Sequence, residues 1–465
     1  MKVFWRIAVL ASTVVCISAR GATSDSDITG RWEVTTTYPG GSYVSGLELS
    51  LQRDNLTGRS GWLVPDWAIF YYQGTRQGHK LHLKIAYKDG SPIGDLTLTD
   101  DRDVLKGTGS IHGVAVTLVG RRPQTRSGNA PTLHTFEPQL YYRNFSGANP
   151  PALHIFPGDT VRTKTLDARG IDDKGVTRSL PQNPLTGPFY IEGAMPGDTI
   201  AVRFNKIRPS RNTAFQYRAG LDSGVLPPGY KQDRPDNWSN TWNLDRTAGT
   251  ATPERPSDKL KAFRVKLRPM LGCVGVAPYW NRSEDTADLG PYGGNIDYNQ
   301  IVEGSTLYLP VYQAGALLFI GDGHALQEDG EITGQGFETS MDVEFTVQLI
   351  RDQLLDQPWS ENDEYIMVSG IAGSLGDALQ TATGGLSNWL KSYYRLNSAE
   401  IATVLASSIQ YDIATVVDPK IHVVAKIKKD ILSQIPKADT PTDMFCQASW
   451  GCELNYSMPH TGPSP

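Results

Sequence analysis

The residues best suited to chemistry in this chain are one histidine and a set of acids carried in short, glycine-rich runs. Gly321-Asp322-Gly323-His324 ends a predicted strand, and Glu331 follows in the same block. Asp297 closes Gly293-Gly294-Asn295-Ile296-Asp297, Glu192 follows the apolar run ending at Ile191, and Asp167 lies in Thr165-Leu166-Asp167-Ala168. An imidazole and carboxylates that converge can hold a divalent cation and activate water, which is one route to hydrolysis. The two nucleophilic routes are poorly furnished. Ser369-Gly-Ile-Ala-Gly-Ser374 lacks the Gly-x-Ser-x-Gly elbow, and Cys273, set among glycines in Gly272-Cys-Val-Gly-Val-Ala-Pro278, reads as a small buried thiol. Taken singly, each carboxylate is better explained as a turn cap, and His324 is equally well read as a satisfied structural imidazole. Asp159 and Asp198, in two Pro-Gly-Asp turns, are read as caps.

These groups need a scaffold, and composition says which kind. The chain has 465 residues, 39% of them apolar and 20% charged, enough for a large core and two or more domains. A formal net charge of -5 without a long basic run disfavours nucleic acid as a partner. Glycine (46) and proline (30) recur without a collagen period, so the expectation is a mainly β protein with a smaller α/β portion. Lys2 and Arg6 precede an apolar run, Ile7 to Ser18, too short to span a bilayer. Residues 1–22 are therefore expected to be a cleaved signal peptide, which makes the protein secreted or periplasmic, with no stable membrane insertion.

Residues 26–122 alternate apolar and polar positions, as in Gly46-Leu-Glu-Leu-Ser-Leu51, and break at Gly and Asp, which predicts an antiparallel β-barrel or sandwich. Gly30-Arg-Trp32, Leu56-Thr-Gly58 and Leu105-Lys-Gly107 resemble a lipocalin-like pattern. Residues 123–132, rich in Gly, Pro, Ser and Arg, read as a linker, and 133–432 as the domain that carries the chemistry. Within it, helical spacing appears at 375–396 and 398–415, with two short strands around a turn after Tyr411. In the tail, 433–465, Cys446 and Cys452 are expected to form a disulfide in an oxidising compartment.

Gly187-Pro-Phe-Tyr-Ile-Glu192-Gly-Ala-Met-Pro-Gly-Asp198, the Gly272 to Pro278 run, the Gly293 to Asp297 run and Gly321 to Glu331 together resemble, in order, the acetamidase/formamidase family. The resemblance spans roughly 133–429 and implies a jelly-roll-like β core that hydrolyses a small amide, formamide or acetamide, to ammonia and a carboxylate. It also implies a bound divalent metal, with zinc as the catalytic choice and calcium as a structural one, and a homodimer. On this basis Asp167, Asp297 and His324 are expected metal ligands and Glu192 the general acid or base. Asn295, with the backbone at Gly293 and Gly294, is the expected oxyanion donor, and Asp322 and Glu331 are expected to face the substrate. Met195, Ile296 and Glu328 depart from the family pattern, and an insertion at 219–255 is placed to line or cover the pocket.

Two other readings remain open. The chain can be read as a non-catalytic binder of a small ligand on a degenerate amidase core. The front domain can also be read as an attachment module using Trp62, Trp67, Tyr71 and Tyr72, although such aromatics usually pack in cores.

Overall fold

The computed structural model describes residues 27–61, 69–126, 128, 130–216, 220–233, 241–279 and 282–438. The predicted signal peptide, the Cys446 and Cys452 pair, and Trp62 and Trp67 lie outside the described residues. Eight antiparallel strands, from Gly30–Tyr38 to Val114–Arg121, close into a barrel when the first pairs with the last. Their period-two pattern explains the closure. Leu81, Leu83 and Ile85 point inward from Lys80–Ala86 while the lysines and His82 between them face water. Trp32 is fully buried at the barrel's end, its indole N–H donating to Ile28 O at 2.9 Å and Arg122 stacked on its ring. Side chains thus fill the interior.

After the barrel, Arg126 ties the connecting segment to the second region through Asp159 at 2.6 Å. Asp159 also accepts N–H bonds from Thr132 and Phe156, and Asp198 accepts from Met195 and Asp352, so both aspartates are the turn caps the sequence pattern predicts.

The second region is a sandwich of a six-stranded and a nine-stranded sheet. Leu271, Val274 and Ile320 of the smaller sheet meet Ile200, Val202, Val343 and Phe345 of the larger in one continuous core. At the centre of the smaller sheet, Leu318–His324 runs between Leu185–Ile191 and Met270–Val276, all buried on both faces except at the half-buried Tyr190. Helix Leu375–Tyr394 starts at Ser374, whose hydroxyl accepts from Asp377 N, and covers the outer face of the larger sheet with Ala378, Ala382, Leu386, Trp389 and Leu390.

The second helix, Ser398–Ser408, is capped by Asn397: the Asn397 side chain and Glu400 form a reciprocal capping box. It ends at Ser408, and the residues that follow form strand Gln410–Thr415, so the helical spacing read through Thr415 runs too far. Insertion residues contribute to a separate small sheet of Thr213–Phe215, Thr241–Asp245, Thr250–Pro253 and Val265–Lys266. Among the described residues no helix is long and apolar enough to cross a membrane.

Candidate metal centre and active site

His324 is delivered by the last residue of a fully buried strand, and its neighbours come from four other places in the chain. Asp322 sits two residues earlier with a positive φ of 55°, which turns its carboxylate toward the imidazole. Asp297, at φ 39°, enters from the loop after Gly293–Asn295, and Glu331, at φ 48°, from the turn after Gln327. Non-glycine residues rarely adopt this region, and three acids doing so around one histidine is a local cost that packing must offset. Glu338 arrives because its segment bridges both His324 and Phe215, and Asp418 because Val416 N donates to Gly330 O. Three overlapping triads result: Asp297, Asp322 and His324; His324, Glu331 and Glu338; Asp297, Glu331 and Asp418.

The distances are short and water is excluded. His324 Nε2 is 3.1 Å from Glu338 Oε1 and 3.6 Å from Asp322 Oδ1, and Nδ1 is 3.8 Å from Asp297 Oδ1. His324 and Asp297 are each only 1% exposed. Both oxygens of Asp297, Asp322 Oδ1, Glu338 Oε2 and His324 Nε2 are buried without a well-formed hydrogen bond among the described residues. Buried polar atoms rarely go unpaired, because each such atom costs roughly 1–3 kcal/mol. Beneath them runs Gly272, where a Cβ would lie 2.4 Å from Asp297 Oδ1 and 2.6 Å from Asp322 Oδ2. Oxygen and imidazole donors, orphaned and converging over a glycine floor, fit a divalent cation.

Electrostatics support the same fit. Burial, then the neighbouring acids, push Asp297 and Glu331 well above the usual carboxyl range. Burial raises Glu338 to about 7 and Asp418 to about 6. For His324 burial alone disfavours the proton, but Glu338 and Asp322 outweigh it and the ring is raised well above 6.5. Five carboxyl groups around one imidazole cannot all ionise unless cations or protons balance them.

The structure brings together Asp297, Asp322, His324 and Glu331 of the residues singled out from sequence. It does not bring Asp167 into the triads: that carboxylate is bound by Arg211 and by the backbone N–H groups of Arg169 and Ile171. Glu192 is also placed elsewhere. It follows the strand whose other end, Leu185, pairs with Gly321 beside Asp322, and its partner is His154 at 2.7 Å. The expected roles for Asp167 as a ligand and Glu192 as acid or base therefore lack the geometry they need.

Gly293 and Gly294 pair within the smaller sheet, where a Cβ on either would come within 2.4 Å of a backbone oxygen. Their requirement is close strand packing, not approach to a ligand. Asn295 does lie at the cluster's edge, its amide oxygen accepting from Asn183 at 3.1 Å and from the Cys273 thiol at 2.8 Å. Burial raises the thiol's pKa, which leaves it protonated and a poor nucleophile.

Glu338, Asp418, Gln327 and Asn183 were not singled out as site residues. Gln327 lies within a matched block, but Glu338 and Asp418 reach the cluster only through tertiary pairing. The small inserted sheet packs over this end of the site: Trp242 stacks on Phe337 at 4.1 Å, and Ala325 joins its apolar cluster.

Residues 138–289 and 281–369 match the acetamidase/formamidase family. Over its middle and C-terminal region the chain belongs to the acetamidase/formamidase family. A formamidase of Methylophilus methylotrophus is 24% identical over 252 residues, covering 43% of this chain. The chain spans 61 to 63% of the length of the curated formamidase relatives it matches.

Solved structures extend the likeness. An acetamidase from Yersinia enterocolitica is 28% identical with a TM-score of 0.56, covering 66% of this chain and 94% of that one. A predicted acetamidase/formamidase from Thermoanaerobacter tengcongensis is 27% identical with the same TM-score, covering 66% of this chain and 99% of that one. Within the acetamidase/formamidase region, Asp297, Asp322, His324, Glu331 and Glu338 all fall inside the matched residues, whereas Asp418 and the barrel fall outside them.

Proposed function

We propose that this chain is an amidase that hydrolyses the C–N bond of a small linear amide, formamide or acetamide, with a divalent metal, zinc, held by Asp297, Asp322 and His324. The observation that carries the reading is the buried cluster of orphaned acid and imidazole atoms, assembled from the blocks that match the family.

Amides resist attack because nitrogen donates into the carbonyl, so hydrolysis needs a stronger nucleophile than water, a proton for the departing amine and stabilisation of the oxyanion. A divalent cation in this centre would polarise the carbonyl and make water nucleophilic. Glu338, whose Oε1 lies 3.1 Å from His324 Nε2, would stand beside the activated water, where it could take a proton and pass it to the leaving amine. Glu331 flanks it on the same triad. Asn183 holds Asp322 from behind at 3.0 Å, leaving Asp322 Oδ1 free for the cation. Buried walls exclude bulk water and strengthen each of these contacts.

The basic and apolar N-terminal run supports export, and the eight-stranded barrel in front supports a lipocalin-like accessory domain; a homodimer and a structural calcium complete the proposal. Ammonia release from formamide, acetamide, propionamide and larger amides, by mature protein and by His324→Ala, tests the reading. Release that vanishes in the variant is the expected result. Silence of folded wild-type protein on every amide would instead favour the small-ligand binder.

A further inference from the structure

An imidazole binds a cation through whichever ring nitrogen keeps its lone pair, and that choice is made by the partner of the other nitrogen. We propose that Gln327 is a positioning residue that sets this choice for His324, holding the proton on Nδ1 and leaving Nε2 as the nitrogen that takes a divalent cation. The inference rests on reading the cluster as a metal centre.

The tautomer follows from two backbone carbonyls. Gln327 Nε2 lies 2.6 Å from Asp297 O and 3.3 Å from Ala414 O. Carbonyl oxygens only accept, so the amide must present its NH2 group to them, and a flipped amide would set oxygen against two oxygens. The Gln327 Oε1 atom is then the one that faces His324 Nδ1, at 2.8 Å. An amide oxygen also only accepts, so Nδ1 must carry the proton. The remaining ring nitrogen, Nε2, faces two carboxylates, 3.1 Å from Glu338 Oε1 and 3.6 Å from Asp322 Oδ1, without a well-formed hydrogen bond, whereas Nδ1 is taken by Gln327 and stands 3.8 Å from Asp297 Oδ1.

Packing prevents the ring from escaping this arrangement. Gly336 passes so close that a Cβ there would stand 2.5 Å from both Cγ and Nδ1 of His324. Gln327 is itself 4% exposed, so water does not compete for its amide. Its bonds also join three segments, those carrying Asp297, His324 and, through Ala414, the approach to Asp418. Glutamate here would set a carboxylate oxygen against the Asp297 and Ala414 carbonyls, and methionine would supply neither donor nor acceptor.

The test is nitrogen NMR of protein labelled with 15N-histidine, metal-free and zinc-loaded, with His324 assigned by the signal lost in His324→Asn. The expected spectrum shows His324 with a protonated Nδ1 in both states and zinc on Nε2 in the loaded one. Calorimetric zinc titration should then show affinity weakened about 10- to 100-fold in Gln327→Met, with cooperative melting retained.

Zinc on Nδ1 with the proton on Nε2, or an unchanged zinc affinity in folded Gln327→Met, would overturn the assignment. Should the variant fail to fold, the wild-type spectrum still decides. Protein that shows the expected spectrum but releases no ammonia from any amide would defeat the amidase reading and leave the role of Gln327 standing. Protein that binds no zinc but shows His324 with a bare Nδ1 would defeat both.

Discussion

At the scale of single residues, the centre depends as much on what is missing as on what is present. Gly272 has no side chain, and that is why Asp297 and Asp322 can both lean over its backbone. Gly272→Ala should push the two carboxylates aside and weaken zinc binding by about tenfold or more, with the melting transition kept. Zinc titration of folded variant protein checks this; wild-type affinity would show that the carboxylates do not hold the cation.

The acids carried in the glycine-rich runs were legible from sequence because each run delivers its own carboxylate at a turn. Asp167 and Glu192 have the same local look, yet Arg211 neutralises one and His154 engages the other. Which end of a strand meets the site is a tertiary fact, and no spacing along Leu185–Ile191 encodes it. Glu338 and Asp418 were missed for the converse reason, since each reaches the cluster through a pairing with a segment distant in sequence.

At the scale of elements, the strands Gly293–Asn295 and Ile421–Lys428 are locked together by His422. Its Nδ1–H donates to Ile296 O at 2.6 Å, next to Asp297, and its ring meets Tyr298 edge-on. Burial lowers this histidine from 6.5 to about 4. Between those values the unfolded chain binds a proton that the folded protein refuses, so stability from this group is present above about pH 6.5 and is lost as pH falls toward 4. The shift corresponds to about 3 kcal/mol. Urea midpoints at about pH 7 and about pH 4.5 should fall more in wild type than in His422→Asn, which keeps a donor for Ile296 but does not titrate. Equal falls in the two proteins would remove His422 from the account.

Alternating patterns along the barrel strands and the apolar stripe of Leu375–Tyr394 were plain in the sequence. The boundary at Ser408 was not, because Ile409 to Ile413 continues an apolar spacing that suits helix and strand alike.

At the scale of the whole molecule, the barrel is fastened to the amidase-like region by a few polar ties. Arg31 reaches both Asp198 and Asp352 at 2.6 Å, Arg59 reaches Asp352 at 2.8 Å, and the Tyr190 hydroxyl donates to Glu33. Asp198 is buried, so removing its guanidinium leaves a charge without its main counter-ion. Arg31→Met should therefore cost about 3 kcal/mol, the lower end for breaking a buried pair. It should also hasten proteolysis between the two regions while leaving the metal centre intact. Calorimetry and limited digestion read both effects, and an unchanged melting curve would mean that the tie contributes nothing to docking.

Closure of the first eight strands could not be read as barrel rather than sandwich, since both bury the same alternate positions; pairing of the first strand with the eighth settles it. The central claim is that amide hydrolysis runs through a divalent cation held by Asp297, Asp322 and His324. Ammonia release from formamide and acetamide, measured after exhaustive chelation and again after adding back zinc, tests it most directly. The account predicts release that is lost on chelation and restored by zinc in wild type but not in Asp322→Asn. Full activity in metal-free protein would contradict it.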